Sequence, residues 1–317
     1  MSIERRIAPL ILVPVGVSLV LSAILLPPQF AAAQGASGWW AIDLALPVQA
    51  GGRLLAGAPT YADPGFLWSP LAAFLGAPLS LLPFALVACG WALVKLAMVA
   101  GVVWRVPGPW QVRLLLAVAV ATSLPVVQDI VLGNVMVPLG VAILLVIAGP
   151  RRLATGIPLG VMIAITPKPF ALPILAWILF QRREAAVGVA LGAGVSLGVA
   201  LLVTCDLGSW LAALSAGMRF ATPFTGNIAP PAALLPFMAI LTAAVLVALR
   251  NRPDAGAVAA LACGFLVSPW AGLNALAPLV LLLARHGALL LARAAETPSP
   301  SAGAVALRRL RRLAVLP

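Results

Sequence analysis

Of the 317 residues, 63% are hydrophobic and 9% charged, and the mean hydropathy is +1.12. A chain this apolar has too few polar side chains to coat a soluble core, which excludes the soluble globular classes and leaves an all-α polytopic membrane protein. The net charge of +12 does not indicate nucleic acid, because the basic residues come as arginine pairs between apolar runs rather than as one basic stripe.

At the N-terminus, Arg5 and Arg6 precede an apolar run that extends to Leu26, and Ala31-Ala32-Ala33-Gln34 follows like a signal-peptidase site. The run is about twenty residues, long enough to span a bilayer, so an uncleaved first helix is expected. Residues 39–83 are rich in polar groups and read as a long first outer loop holding Asp43, Arg53, Tyr61, Asp63 and Trp68. Within it, residues 71–82 are apolar but interrupted by Pro78, and are expected to lie along the surface or enter the bilayer in part.

Phe84–Trp104 makes a full span carrying Lys95, which reads as a snorkelling residue near the cytoplasmic end. Further spans are expected at 113–127, 134–148, 153–165, 169–180, 185–204, 232–249, 255–267 and 273–291. The total is about ten transmembrane helices, with each boundary good to a few residues. This multi-helix domain covers 1–293. A basic tail over 294–317, with the Leu307-Arg308-Arg309-Leu310-Arg311-Arg312-Leu313 segment, is expected to lie on anionic lipid in the cytoplasm.

Placing the N-terminus in the cytoplasm sends sixteen arginines, from Arg5 to Arg312, to that side and only Arg53, Lys168 and Arg219 to the other. The positive-inside rule then sets both termini in the cytoplasm and calls for an even number of spans. Cys89, Cys205 and Cys263 are too far apart for a zinc or disulfide pattern.

With that orientation Asp43, Asp63, Asp129, Asn134, Lys168, Asp206, Arg219, Asn227, Ser268 and Asn274 collect at or near outer ends. Residues 153–165 and 255–267 make helices of about 20 Å against a hydrocarbon core of about 30 Å, so their outer ends sink below the surface. Thr166-Pro167-Lys168-Pro169 interrupts the chain at that depth. Irregular backbone there needs protein or a watery cavity around it, which implies a recess open to the outer face and to lipid. In it Lys168 has two readings: a partner for a lipid phosphate, or a cation that snorkels to headgroups.

Several short motifs, in order, resemble glycosyltransferase family 87, the polyprenol-phosphate-mannose-dependent mannosyltransferase-like proteins of the GT-C superfamily. They are Asp43, Leu55-Ala56-Gly57 with Tyr61, Trp68-Ser69-Pro70, Pro78-Leu79-Ser80-Leu81-Leu82-Pro83, Gly133-Asn134-Val135-Met136, Lys168-Pro169 with Arg182-Arg183, and Ser268-Pro269-Trp270. The chain departs from the pattern where Asn134 replaces a Gln, Met136 an Asn and Pro47 an aromatic, and where Asn274 stands in place of a His after the Ser-Pro element.

The resemblance implies a hexosyltransferase, with mannose the expected sugar. It would use a polyprenyl-phosphate sugar donor and a lipid or glycan acceptor at the outer face of a bacterial plasma membrane, with no nucleic-acid partner. Polyprenyl phosphate is a good leaving group, so one carboxylate suffices as general base, unlike the paired carboxylates of glycoside hydrolysis. Asp43 is the expected catalytic base, against its reading as an N-cap or solvated loop charge, and Lys168 the expected donor-phosphate ligand.

Tyr61, Trp68, Asp129, Asn134, Ser268 and Asn274 are the candidate substrate-binding residues. Asp129 is split between lining the recess and capping the next helix. No metal and no cofactor is expected, since a hard-metal site needs several converging carboxylates. A transporter of lipid-linked sugars and a catalytically inactive scaffold are the rival functions.

Overall fold

Large apolar side chains face outward here, while a few charged and polar groups turn inward. Leu86, Leu93, Leu202 and Ile240 are exposed, whereas Lys95, Asp129, Asn134, Ser268 and Asn274 are buried. This inversion of the usual soluble pattern is what an apolar surrounding demands. The computed structural model describes residues 41–63, 65–150, 152–166, 171–219, 232–268 and 273–296. The expected first helix, the segment around Lys168 and the tail beyond Glu296 lie outside the described residues.

Thirteen α-helices are formed among the described residues: α1 (Ile42–Leu55), α2 (Pro70–Leu79), α3 (Phe84–Trp104), α4 (Trp110–Ala121), α5 (Leu124–Leu132), α6 (Met136–Ala148), α7 (Leu153–Ile165), α8 (Leu172–Gln181), α9 (Arg183–Thr204), α10 (Leu207–Arg219), α11 (Leu235–Ala248), α12 (Pro253–Val267) and α13 (Ala277–Glu296). Short 3-10 turns at Ala232–Leu234 and Leu273–Leu276 precede α11 and α13. Among them α3 and α9 are long and apolar enough to cross a membrane, and α4 with α5 adds a third span if the bent pair is taken as one. The remaining apolar helices are shorter than a bilayer core is thick. The helix α13 runs through residue 293, where the sequence places a domain edge.

Two expectations are corrected. Residues 39–83 are not a loop throughout, because α1 and α2 occupy most of the described part of the segment. They cross so closely that a Cβ on Gly76 would lie 2.0 Å from the Pro47 carbonyl, and one on Gly51 would lie 2.2 Å from the Ala77 nitrogen. Two helices with small contact residues satisfy each other's apolar faces, which an isolated outer loop would leave exposed.

The span expected at 113–127 is broken, with α4 and α5 meeting at a 61° bend. Pro125 lacks an N–H and its ring crowds the carbonyl four residues back, at Ala121, where α4 ends. The Thr122 and Ser123 hydroxyls bond back to the Val118 and Val120 carbonyls, both at 2.7 Å, beside the backbone N–H groups that those carbonyls already accept.

The closest helix seam joins α7 to α9 through two facing Gly-x-x-x-Gly pairs, Gly156 with Gly160 and Gly188 with Gly192. A Cβ on Gly156 would meet the Ala185 carbonyl at 1.9 Å, and one on Gly160 the Val189 carbonyl at 2.2 Å. Partners advance together along both helices, so α7 and α9 are parallel and α8 returns the chain between them. Without a hydrophobic force between helices in lipid, this close backbone approach is what holds them. Gly188→Ala, whose Cβ would lie 1.9 Å from the Leu153 carbonyl, is expected to cost about 1–3 kcal/mol. Gly194→Ala on the same helix meets nothing within 4 Å and is expected to be neutral or slightly stabilising. Thermal unfolding of the two variants in detergent checks this, and equal melting temperatures would refute the seam.

Candidate functional site

One face of α3 carries Val87, Trp91, Lys95, Val99 and Val103 at four-residue spacing, turned into the protein. Lys95 sits near the middle of the helix and is fully buried, with Nζ 3.1 Å from Asp129 Oδ2 and a hydrogen bond of 2.5 Å to the Asp129 carbonyl. The Trp91 ring lies 5.6 Å from the same ammonium. Lys95 therefore does not snorkel to the cytoplasmic edge. A carboxylate, a carbonyl and an aromatic face satisfy the charge where it is, at lower cost than bending the stem to water.

Asp129 stands on the last turns of α5 and faces two ways. Its Oδ1 accepts the Met136 N–H at 2.8 Å and its Oδ2 the Val137 N–H at 3.3 Å, which satisfies the first turn of α6. Its carbonyl takes the Asn134 N–H at 3.1 Å, while the Ile130 carbonyl takes that of Gly133 at 3.2 Å. These two bonds form a Schellman ending for α5, with Gly133 in the left-handed region at φ 74°. A side chain at Gly133 would also collide with Leu44, whose Cβ lies 2.7 Å from the position of the added carbon.

Opposite this turn lies the N-terminus of α1. The Ala41 N–H donates to the Val131 carbonyl at 2.7 Å, with Ala41 itself left-handed at φ 57°. Pro47 has no N–H to give the Asp43 carbonyl, so the first turn of α1 is shaped from both sides. Asp43 is half-buried and its Oδ2 accepts the Asn134 amide at 2.6 Å. Asn134 is held in turn, its Oδ1 accepting the Val135 N–H at 2.7 Å and its carbonyl accepting Trp91 Nε1–H at 3.2 Å. Trp91 Nε1 also reaches the Gly133 carbonyl at 3.1 Å.

The other candidates group differently. The Tyr61 hydroxyl donates to the Trp68 carbonyl at 3.0 Å, and the Tyr61 ring packs on Phe66 with centroids 5.1 Å apart. Burial pushes the Tyr61 phenol well above its usual pKa, and the Asp206 carboxylate pushes it the same way, so Tyr61 stays neutral at any ordinary pH. Tyr61→Phe is expected to lower stability by about 1 kcal/mol, read as a small drop in melting temperature. An unchanged melt would mean that the Trp68 carbonyl is satisfied equally well by water.

Ser69 ties this segment to the end of α7, its hydroxyl bonding the Ala164 carbonyl and its N–H the Ile165 carbonyl at 3.2 Å. Asp63 accepts the Gly65 N–H at 2.8 Å within its own turn. Ser268 is buried at the end of α12, and Asn274 is buried in the 3-10 turn that packs on α5 and α6. Lys168 lies outside the described residues, as do 220–231 and 269–272. Two open, shallow recesses among the described residues are lined by Leu179, Phe180 and Arg183 with their neighbours and by Ala100, Gly101, Trp104 and Arg105. Neither is lined by a candidate site residue.

The structure thus brings together Asp43, Asn134 and Asp129, and adds Lys95 and Trp91, to which the sequence reading gave no part in the site. A signal for Lys95 was present: a cation in mid-span and an acid in a neighbouring span call for each other in lipid. Trp91 lies one helical turn from Lys95 on the same face.

The family model of glycosyltransferase family 87 matches residues 66–269, well over half of the chain. The match includes Trp68, Lys95, Asp129, Asn134, Lys168 and Ser268, while Asp43 and Tyr61 precede it and Asn274 follows it. Comparisons with curated proteins and with solved structures returned no match. Motif order in the sequence and the family match agree, and the chain belongs to glycosyltransferase family 87, a family of membrane glycosyltransferases.

Proposed function

We propose that this glycosyltransferase moves a hexose, with mannose the first choice, from a polyprenyl-phosphate donor to an acceptor hydroxyl on the outer face of a bacterial plasma membrane. Asp43 takes the proton from the acceptor hydroxyl. The oxygen attacks the anomeric carbon, and the bond from that carbon to the phosphate oxygen breaks with its electron pair leaving on polyprenyl phosphate. Lys168 meets the donor phosphate, whose charge grows as the bond breaks. About ten spans with both termini in the cytoplasm put Asp43 on the side that nucleotide sugars do not reach, which is why a lipid-borne donor is called for.

The observation that carries the reading is the Asp43 to Asn134 hydrogen bond at 2.6 Å. It holds a half-buried carboxylate in one orientation beside the polar turn between α5 and α6, as a general base requires. The test is purified protein in vesicles with labelled polyprenyl-phosphate mannose and a panel of glycan and lipid acceptors. Transfer by wild-type protein, lost in Asp43→Asn, supports the reading. Movement of the labelled lipid across the bilayer without any product would turn it toward transport instead.

A further inference from the structure

From the geometry we infer that Trp91, Lys95 and Asp129 are positioning residues for the reaction: a clamp inside the membrane that sets where Asn134 stands and so how the Asp43 carboxylate is aimed. The inference rests on the proposed role of Asp43, and three sets of contacts lead to it.

The first is that α3 grips the turn between α5 and α6 at two levels one helical turn apart. Trp91 Nε1–H bonds the Gly133 and Asn134 carbonyls at 3.1 and 3.2 Å, and Lys95 bonds the Asp129 side chain at 3.1 Å and its carbonyl at 2.5 Å. The second is that every anchor lands on backbone of the turn, or on the acid that organises it, so the turn as a unit follows α3. The third is that the turn offers Asn134 to Asp43 at 2.6 Å and its Val131 carbonyl to Ala41 at 2.7 Å, which leaves α1 docked on a platform that α3 holds.

A buried ion pair is a poor device for stability, since apolar residues of the same volume do as well or better. Its presence here points to geometry, because charge and hydrogen bonds specify one arrangement where apolar packing allows several. Asn134 needs one arrangement. Its amide must meet Asp43 while its carbonyl is held from behind, and a shift of about 1 Å at a reacting group costs up to a hundredfold in rate.

The test uses the full chain with Trp91→Phe, which keeps an aromatic side chain on that face of α3 and deletes the N–H bonds to the turn, with a smaller ring in place of the indole. Four quantities are read: kcat and donor KM with labelled polyprenyl-phosphate mannose, the melting temperature in detergent, and the yield of a short bis-methanethiosulfonate crosslink. The crosslink joins cysteines introduced by Ala41→Cys and Val131→Cys, with Cys89, Cys205 and Cys263 replaced by Ala. It reports the docking of α1 on the turn without touching Asp43 or Asn134.

The expected result is a fall in kcat of about tenfold or more with donor KM nearly unchanged, a lower crosslink yield and a melt close to wild type. The paired variant Lys95→Met with Asp129→Asn is expected to behave the same way. Unchanged kcat together with unchanged crosslinking overturns the clamp, and so does a loss of kcat that only follows a collapse of the melt in both variants. A lower crosslink yield with full kcat keeps the clamp but refutes Asp43 as the base, which separates failure of this inference from failure of the functional reading.

Discussion

Lys95→Met is expected to destabilise the protein by about 3–5 kcal/mol, the largest loss of any single change considered. The Asp129 carboxylate is wholly buried and, among the described residues, its charged partner is the Lys95 ammonium at 3.1 Å. Removing the lysine leaves an anion in an apolar interior with the two N–H groups at the start of α6 to answer it. Two backbone donors help an anion but do not replace a cation.

The double change Lys95→Met with Asp129→Asn is expected to recover most of the loss. No charge is then stranded, and the Asn oxygen still caps α6. Unfolding of the three proteins in one detergent decides it. A single variant as stable as wild type, or a double variant no better than the single, would show that the pair is not what holds α3 to α5.

Asp43→Asn is expected to lower glycosyl transfer by about a hundredfold to ten-thousandfold, the range that a positioned general base supplies. The substitution is nearly isosteric, and the new side-chain oxygen still accepts from Asn134 at the position where Oδ2 accepts now, at 2.6 Å. What is lost is the ability to take a proton. If Asp43 merely stabilises the N-terminus of α1, the same change removes about 0.3–1 kcal/mol of stability and leaves the rate alone.

Asn134→Ala separates the two roles further. It leaves the carboxylate but removes the group that aims it, so a loss smaller than that of Asp43→Asn, about tenfold, is expected. Measuring initial rates at saturating donor, with melts beside them, distinguishes these outcomes. Wild-type rates from Asp43→Asn would end the base assignment.

The sequence by itself determined a good deal. Its apolar excess requires helices that answer their own backbone hydrogen bonds, and the motif order from Trp68 to Ser268 already pointed to the family that the family model matches. The run Phe84–Trp104 was legible to its end residues, because an uninterrupted apolar stretch bounded by Pro83 and Arg105 has few alternatives. The break at Thr122 and Ser123 had its cause in view in Pro125, yet an apolar period alone reads straight through it.

Only the tertiary structure decided that α1 and α2 replace a loop, that Lys95 faces Asp129, and that Asn134 reaches Asp43 from 91 residues away. Hydrophobic periodicity records which residues leave water, and in lipid it loses even that, since both the inner and the outer faces of a helix are apolar. Which helix face turns inward is settled by a handful of polar contacts. Those depend on distances between segments that no local pattern encodes.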